Sequence, residues 1–286
     1  MPELPEVETV VRQLRQGDGE RGVSVIGQTI ARVTLRWPGH VARPSPREFA
    51  RRVSGQTITG LSRRGKYLIF HLTHGFLLIH LKMSGDLVVM GDHAPRDKHA
   101  HTVFHFRAGG QLRFTDTRKF GRVYWVEHAQ EVVGALGPEP LEPGFTARRL
   151  GEMLKARHRA LKPLLLDQTF IAGLGNIYTD EALNRARLHP LRRSDTLGPQ
   201  EVRALWRGIR QALQSGLRHN GASIDWVYRG GDFQNHFRVY DRADHPCLNC
   251  GTPIRRTVVG QRGTYYCPQC QKPATSLAKK VKESEL

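Results

Sequence analysis

The chain has 286 residues, long enough for two domains, and its 39% hydrophobic and 24% charged residues are typical of a folded protein. It carries 44 Lys and Arg against 26 Asp and Glu, a formal net charge of +18 that is spread along the chain. No run approaches the roughly 20 apolar residues of a membrane span, and the acidic start MPELPEVE lacks the apolar core of a secretory signal. These features argue against integral membrane and secreted proteins and predict a cytoplasmic protein that binds polyanions.

An amphipathic helix is predicted at the start of the chain. Apolar residues recur there at three- and four-residue spacings, the periodicity of one helix face. They are Leu4, Val7, Val10, Val11 and Leu14. Pro5 suits the first turn, because a helix does not need the missing N–H at that position.

Short β-like segments follow the helix. The predicted strands cover residues 23–30, 31–37, 67–72, 76–81, 102–106, 111–114 and 123–126. Two pairs have the pattern of hairpins, joined through residues 73–75 and 108–110. With the first helix, these strands predict an N-terminal β-sandwich or barrel.

The composition changes after the last strand. Residues 134–144 hold three Pro and three Gly, which is typical of a hinge or linker. Helical patterns then cover residues 146–156, 161–166, 177–186 and 199–217. The second half of the chain is therefore predicted to be mostly helical up to about residue 222.

All four cysteines lie near the C-terminus, with the spacing Cys247-x2-Cys250-x16-Cys267-x2-Cys270. Two Cys-x-x-Cys turns allow four thiolates to surround one ion, and thiolates select zinc over hard cations. Two disulfides are the competing interpretation, although a cytoplasmic chain keeps its thiols reduced. A site closed by four thiolates predicts one structural zinc ion, because no coordination position stays open for chemistry.

The first residues point to amine chemistry. Pro2 is small enough for Met1 to be removed, which would leave a free proline amine. An α-amine has a pKa of roughly 7.7–8, so a useful fraction is neutral and nucleophilic at pH 7. Glu3 lies beside it as a proton donor or shuttle. Many proteins have Pro at position 2, so this feature alone is weak.

Several motifs in a fixed order give this start its meaning. They are PELPEVE at 2–8, RRGKY at 63–67, HLKMSG at 80–85, KHAH at 98–101, DTRKFG at 116–121, LGPEPL at 136–141, KPLLLDQ at 162–168 and GLGNIY at 173–178. Followed by the four-cysteine pattern, they make residues 1–272 resemble the bacterial formamidopyrimidine-DNA glycosylase family. Leu4 and Val7 resemble this branch more than the sister branch of endonuclease VIII.

The resemblance implies an α+β multidomain fold. It implies an N-terminal helix and β-sandwich at 1–132, a hinge at 133–145, a helix–two-turn–helix domain at 146–240 and a zinc-finger hairpin at 241–272. Residues 273–286 lie past the resemblance, and their composition predicts a disordered tail. The resemblance also implies a monomeric bacterial enzyme that removes oxidised purines from double-stranded DNA, acts on abasic sites and nicks the strand by β,δ-elimination.

The resemblance assigns roles to individual residues. The catalytic residues would be Pro2 as Schiff-base nucleophile, Glu3 as acid, Lys66 as proton donor in β-elimination and Arg262 in δ-elimination. The DNA-contacting residues would be His99, Arg118, Arg157 and Asn176, while Met83, Arg118 and Phe120 would fill the gap left by an extruded base. From the residues alone, Met83 and Phe120 fit a core equally well, Lys66 fits a solvated charge, and His99 with His101 fits a metal pair lacking a third ligand.

Two departures from the family pattern leave the substrate range open. The segment 225–233, where the family has a loop that caps the lesion, is about three residues shorter than expected. Arg157 stands where lysine is common, which keeps charge and reach. The alternatives are an endonuclease VIII-like glycosylase for oxidised pyrimidines and a non-catalytic zinc-ribbon protein that binds DNA.

Overall fold

A computed structural model of the chain describes residues 1–17, 22–223 and 230–273. Residues 225–229 of the predicted capping loop and 274–286 of the predicted tail lie outside this part. The chain divides into two compact units. Unit 1 holds residues 1–135 and 217–234, and unit 2 holds residues 136–216 together with the chain from 235 onward.

The first helix, α1 (Leu4–Gln16), is confirmed, and its apolar face is buried. The five apolar positions of the predicted face are each at most 2% exposed. Pro5 lies in the first turn, and Gly17 ends the helix in the left-handed conformation with φ of 69°. The helix packs against the strands of unit 1 and contributes to the same apolar core.

The described residues of unit 1 form nine strands and, between β2 and β3, a helix of two turns. They are β1 (Ile30–Leu35), β2 (Val41–Arg43), α2 (Pro46–Val53), β3 (Ile58–Arg64), β4 (Tyr67–Leu72), β5 (Phe76–His80), β6 (Gly85–Met90), β7 (Ala100–Phe106), β8 (Gln111–Asp116) and β9 (Arg122–Val126). A short helix, α3 (Gln130–Val133), follows.

The strands form two sheets around one core. One sheet has the order β2-β9-β5-β4-β3 and the other the order β1-β7-β8-β6. All pairings are antiparallel except that of β2 with β9. Apolar residues of both sheets and of α1 belong to one buried cluster, so the predicted sandwich is confirmed.

The predicted hairpins are present as β4–β5 and β7–β8. A strand at 23–30 is wrong, because the chain turns at Gly27, where φ is +82°, and only Ile30 enters β1. The prediction also missed β2, β3, β6, α2 and α3. The sequence carried a signal for two of them: residues 87–90 of β6 are an apolar run, and Ser45 caps α2 before Pro46.

Unit 2 is helical, as predicted, and ends in a β-hairpin. Its elements are α4 (Ala147–Lys155), α5 (Leu161–Leu165), α6 (Asn176–Ala186), the greater part of α7 (Pro199–Arg218), β10 (Arg255–Val259) and β11 (Arg262–Tyr266). Helices α6 and α7 approach closely at Gly208, where a Cβ atom would lie 2.6 Å from the Ala182 carbonyl oxygen. Among the described helices, none has the length and apolar character needed to cross a membrane.

Candidate active site and nucleic-acid interface

The candidate nucleophile lies at the buried start of α1. Pro2 is buried and Glu3 is 2% exposed, whereas Met1 is 47% exposed. The Pro2 nitrogen is bonded to Met1 in the full-length chain, so it becomes an amine only when Met1 is removed. The accessible Met1 and the buried Pro2 are consistent with that processing, which would leave the amine in a partly dehydrated environment.

Glu6 holds this N-terminal segment in place. Its Oε2 accepts a hydrogen bond from the Glu3 backbone N–H at 2.8 Å, and its Oε1 accepts one from the Ala222 N–H at 2.8 Å. Both bonds are buried, and Gly221 is so close that a Cβ there would lie 2.7 Å from Glu6 Oε1. One carboxylate therefore ties the candidate nucleophile to a segment about 216 positions away. Glu6 was not among the site residues predicted from the sequence, although a Glu three residues after the N-cap is a known capping pattern.

The same segment closes the base of the predicted capping loop. The Ser223 hydroxyl donates to the Gly231 carbonyl at 2.7 Å, and the Phe233 N–H donates to the Gly221 carbonyl at 3.0 Å. The Ser223 N–H donates to the Gln234 side chain at 2.9 Å. The two ends of the loop, which enclose residues 224–229, are thus fixed to each other and, through Ala222, to Glu6.

Lys66 lies in the turn between β3 and β4 and is 4% exposed, so its interpretation as a solvated charge is wrong. A chain of contacts ties this turn to α1. The Glu8 carboxylate pairs with Arg63 Nε at 3.0 Å, and Arg63 Nη1 donates to the Gly65 carbonyl at 3.0 Å. The turn that carries Lys66 is therefore tied to the first helix, in the same unit as Pro2.

His80 is a buried group near Lys66 that the sequence analysis did not single out. Burial lowers its pKa to about 3, helped by the positive charges of Lys82 and Lys66. Its Nδ1 accepts a hydrogen bond from the Lys82 N–H at 2.9 Å, so Nε2 carries the proton of a neutral ring. His80 is thus a neutral hydrogen-bond donor at pH 7.

Three candidate DNA contacts lie on two exposed loops of unit 1. Met83 is 38% exposed between β5 and β6, and Phe120 is 47% exposed between β8 and β9. Arg118 is exposed on the second loop, with its guanidinium 4.8 Å from the centre of the Phe120 ring. The alternative that Met83 and Phe120 are core residues is wrong.

His99 is half-buried just before β7, where its N–H donates to Asp97 at 2.7 Å. Its ring lies 6.3 Å from that of His101, whose pKa is lowered by burial and by neighbouring positive groups. Within the described ranges, neither histidine belongs to a group of three possible metal ligands. The geometry does not support the interpretation as a metal pair.

The remaining candidates belong to unit 2. Arg157 is exposed after α4, and Asn176 is the half-buried first residue of α6. Arg262 is exposed beside the two-residue turn of the β10–β11 hairpin, where Gly260 and Gln261 both have positive φ. Arg157 and Arg262 are therefore accessible to a ligand from solvent.

A buried ion pair supports this hairpin. Lys162 Nζ lies 2.7 Å from Asp180 Oδ1, with both side chains fully buried. Lys162 and the Asn176 side chain each donate to the Gly263 carbonyl at 2.9 Å, next to Arg262. Burial raises the pKa of Asp180, while the Lys162 charge opposes that rise. The motif residue Lys162 therefore positions the hairpin from within the helical unit.

The four cysteines converge in the geometry of a zinc site. The Sγ atom of Cys250 lies 3.5 Å from the Sγ atoms of Cys267 and Cys270, and Cys247 Sγ lies 4.0 Å from Cys270 Sγ. Tetrahedral bonds of about 2.3 Å from zinc to sulfur would require sulfur atoms about 3.8 Å apart. The cysteines form no disulfide. They hold one structural Zn²⁺, and the small apolar cluster around them explains why the hairpin needs it.

Replacing Glu6 by Gln should loosen the N-terminal anchor. An amide presents an NH₂ group to one of the two N–H donors, so we expect a loss of about 1–3 kcal/mol in stability. Amide exchange at Ala222 should accelerate, as measured by mass spectrometry. Glu48→Gln, which alters a surface carboxylate of α2, is the control. Unchanged exchange at Ala222 would contradict the anchoring role.

Removing zinc should unfold the hairpin and leave unit 1 folded. Chelation should release one zinc per chain and lower affinity for duplex DNA by about tenfold or more, because the basic hairpin is lost. Zinc release by absorbance, duplex binding by fluorescence anisotropy and amide exchange in unit 1 test this. Simultaneous loss of protection in unit 1 would contradict it.

Three family models cover most of the chain. The formamidopyrimidine-DNA glycosylase N-terminal domain matches residues 1–123, and the H2TH domain of the same enzymes matches residues 136–227. The zinc finger found in FPG and IleRS matches residues 244–273. The confirmed fold class and the zinc ion agree with these matches.

Curated relatives and solved structures agree with them. The formamidopyrimidine-DNA glycosylases of Roseiflexus sp. (strain RS-1) and Bacillus subtilis are 46% and 42% identical over 95% of this chain and 100% and 99% of their own lengths. MutM bound to DNA with carbocyclic 8-oxo-G, and Lactococcus lactis Fpg bound to DNA with an abasic site, each have a TM-score of 0.87 and 36% identity over 95% of this chain and 100% of theirs. The chain therefore belongs to the formamidopyrimidine-DNA glycosylase family.

Proposed function

We propose that this protein is a bifunctional DNA glycosylase and AP lyase that removes oxidised purines from duplex DNA. The observation that carries the proposal is the buried Pro2–Glu3 start of α1, anchored by Glu6 in a chain of this family. The net charge of +18 suits a polyanionic partner. We infer a monomer that acts in the bacterial cytoplasm on nucleoid DNA.

The chemistry begins at the Pro2 nitrogen after loss of Met1. Its lone pair attacks C1′ of the damaged nucleotide, the bond to the base breaks, and the base departs with a proton. The product is an iminium ion between Pro2 and the opened sugar, with Glu3 supplying the proton needed for ring opening. A secondary amine is suited to this step, because its iminium ion keeps a positive charge without losing a proton.

Strand cleavage follows from the iminium ion. Loss of the C2′ proton gives an enamine that expels the 3′ phosphate, and a second elimination expels the 5′ phosphate. We assign Lys66 as proton donor in the first elimination, which its burial in the unit of Pro2 supports. We assign Arg262 to the second elimination, where its guanidinium would bind the departing phosphate. Hydrolysis then frees Pro2.

Reaction at C1′ requires the nucleotide to leave the base stack. We assign Met83 and Phe120 to the vacated space and Arg118 to the orphaned partner base, because all three are exposed on adjoining loops of one unit. His99, Arg157 and Asn176 are assigned to phosphate contacts. Met83, Arg118 and Phe120 together are called the wedge below.

Borohydride should trap the protein covalently on a duplex containing 8-oxoguanine. Intact mass should first show that Met1 is absent, and peptide mapping should place the DNA adduct on residue 2. Pro2→Gly should reduce trapping strongly, whereas Pro46→Gly, a half-buried proline of the same unit, should not. Equal trapping by Pro2→Gly would contradict the assignment of the nucleophile.

Substrate preference separates the proposal from its alternatives. Single-turnover rates on 8-oxoguanine opposite cytosine should exceed those on thymine glycol opposite adenine by at least about tenfold. The reverse order would assign the chain to oxidised pyrimidines. A protein that binds both duplexes and also leaves abasic sites uncut would be a non-catalytic DNA-binding module.

A further inference from the structure

One buried carboxylate contacts both loops that carry the wedge. Asp116, the last residue of β8, is fully buried. Its Oδ1 accepts hydrogen bonds from the Ser84 hydroxyl and, at 3.2 Å, from the Arg118 N–H. Its Oδ2 accepts one from the Gly121 N–H at 2.6 Å. Ser84 follows Met83, and Gly121 follows Phe120. Each bond of the carboxylate therefore goes to a member of the wedge or to the residue next to one.

Ser84 also connects the two loops directly. Its hydroxyl donates to Asp116 while its oxygen accepts a bond from the Arg118 N–H at 3.0 Å. The residue is 5% exposed, so water competes little for these bonds. Ser84 therefore links the loop of Met83 to the backbone of Arg118.

The ends of the loops have little room to move. The ring of Phe114 lies against both Gly85 and Gly121, and a Cβ atom at either position would collide with it. The Arg122 side chain donates to the carbonyls of Phe120 and Gly121 at 3.1 and 2.8 Å. The exposed side chains of both loops therefore adjoin tightly packed backbone.

Asp116 is ionised at neutral pH. Burial alone would raise its pKa, but the adjacent His40 ring and hydrogen bonds from Ser84 and the N–H groups of Gly121 and Arg118 more than offset burial and hold the pKa at about 2. His40 is itself fully buried, with Nε2 3.5 Å from Asp116 Oδ2 and Nδ1 3.2 Å from the Thr102 hydroxyl. Hydrogen bonds to a charged acceptor are stronger than those between neutral groups, so the backbone around Asp116 resists distortion.

We propose that Asp116 and Ser84 are positioning residues that hold Met83, Arg118 and Phe120 as one preformed wedge and thereby set selectivity for the base opposite the lesion. The Asp116 N–H also donates to the His99 carbonyl at 2.9 Å, which brings a candidate phosphate contact into the same arrangement. The inference rests on the proposed function.

A preformed wedge matters because insertion into the stack is part of the reaction. Loops that order only on insertion lose conformational entropy at that step, which slows it. Arg118 distinguishes opposite bases only if its guanidinium is held in one place, since a mobile donor can satisfy either base. Weakening the bonds of Asp116 and Ser84 should therefore reduce both the rate of insertion and the discrimination between cytosine and adenine.

Ser84→Ala is the sharper test, because Arg118 keeps its bond to Asp116 and the fold should survive. Asp116→Asn is the stronger change, since it removes the charge and presents an NH₂ group to a donor. Ser62→Ala is the matched control: Ser62 is a half-buried serine of β3 that bonds His71 at 2.8 Å. Stopped-flow fluorescence of 2-aminopurine next to the lesion reports insertion, and single-turnover excision opposite cytosine and adenine reports selectivity.

We expect Ser84→Ala to slow insertion about tenfold and Asp116→Asn about 100-fold, with the cytosine-to-adenine ratio falling in both. Ser62→Ala should match the parent. Melting temperatures identify purely structural damage, which would lower activity opposite both bases equally. An unchanged insertion rate and an unchanged ratio in Ser84→Ala would overturn the inference. Failure of the parent to cleave any lesion would overturn the proposed function instead.

Discussion

The burial of the first helix is the constraint on which the candidate site depends. A nucleophile at residue 2 has no long side chain to reach its target, so its position is that of the backbone itself. Five apolar residues of α1 lie in the core of unit 1, each contributing on the order of 2 kcal/mol. A helix buried this completely gives the first residues of the chain a fixed position, although chain ends are usually mobile.

Buried charges refine the placement that the apolar core begins. Glu6 and the Lys162–Asp180 pair stabilise backbone groups that are distant in the sequence, and Asp116 accepts a bond from the distant Ser84 hydroxyl. Burying a charge is costly unless several bonds compensate it, so such groups tolerate few arrangements. In this protein they contact the N-terminal segment, the loops of the wedge and the hairpin that carries Arg262.

Two exposed apolar side chains, Met83 and Phe120, lie on loops whose ends are held by buried contacts. Met83 and Phe120 are exposed, although large apolar side chains are usually buried. Their exposure is maintained because tight turns, close glycines and the Asp116 carboxylate hold the adjoining backbone. Rigid supports and accessible tips suit side chains that must enter a base stack without reorganising first.

Features that depend on near neighbours in the chain were predictable from the sequence. The face of α1, two hairpins, the helices of unit 2 and the four-cysteine site were all predictable, because their periods and spacings are local. The motifs also identified Pro2, Glu3 and the wedge residues as candidates. Local patterns failed at 23–30, where a turn at Gly27 overrides β propensity.

The contacts that hold the candidate residues in place come from distant parts of the chain. Glu6 bonds Ala222, Asp116 bonds Ser84, and Lys162 bonds Gly263. These partners are 32 to 216 positions apart, so no local pattern pairs them. The burial of Lys66 and the exposure of Phe120 likewise depend on how strands from different parts of the chain pack. Residue type and spacing specify which groups are present, but only the packing of distant segments removes water from some of them and leaves others exposed to a ligand.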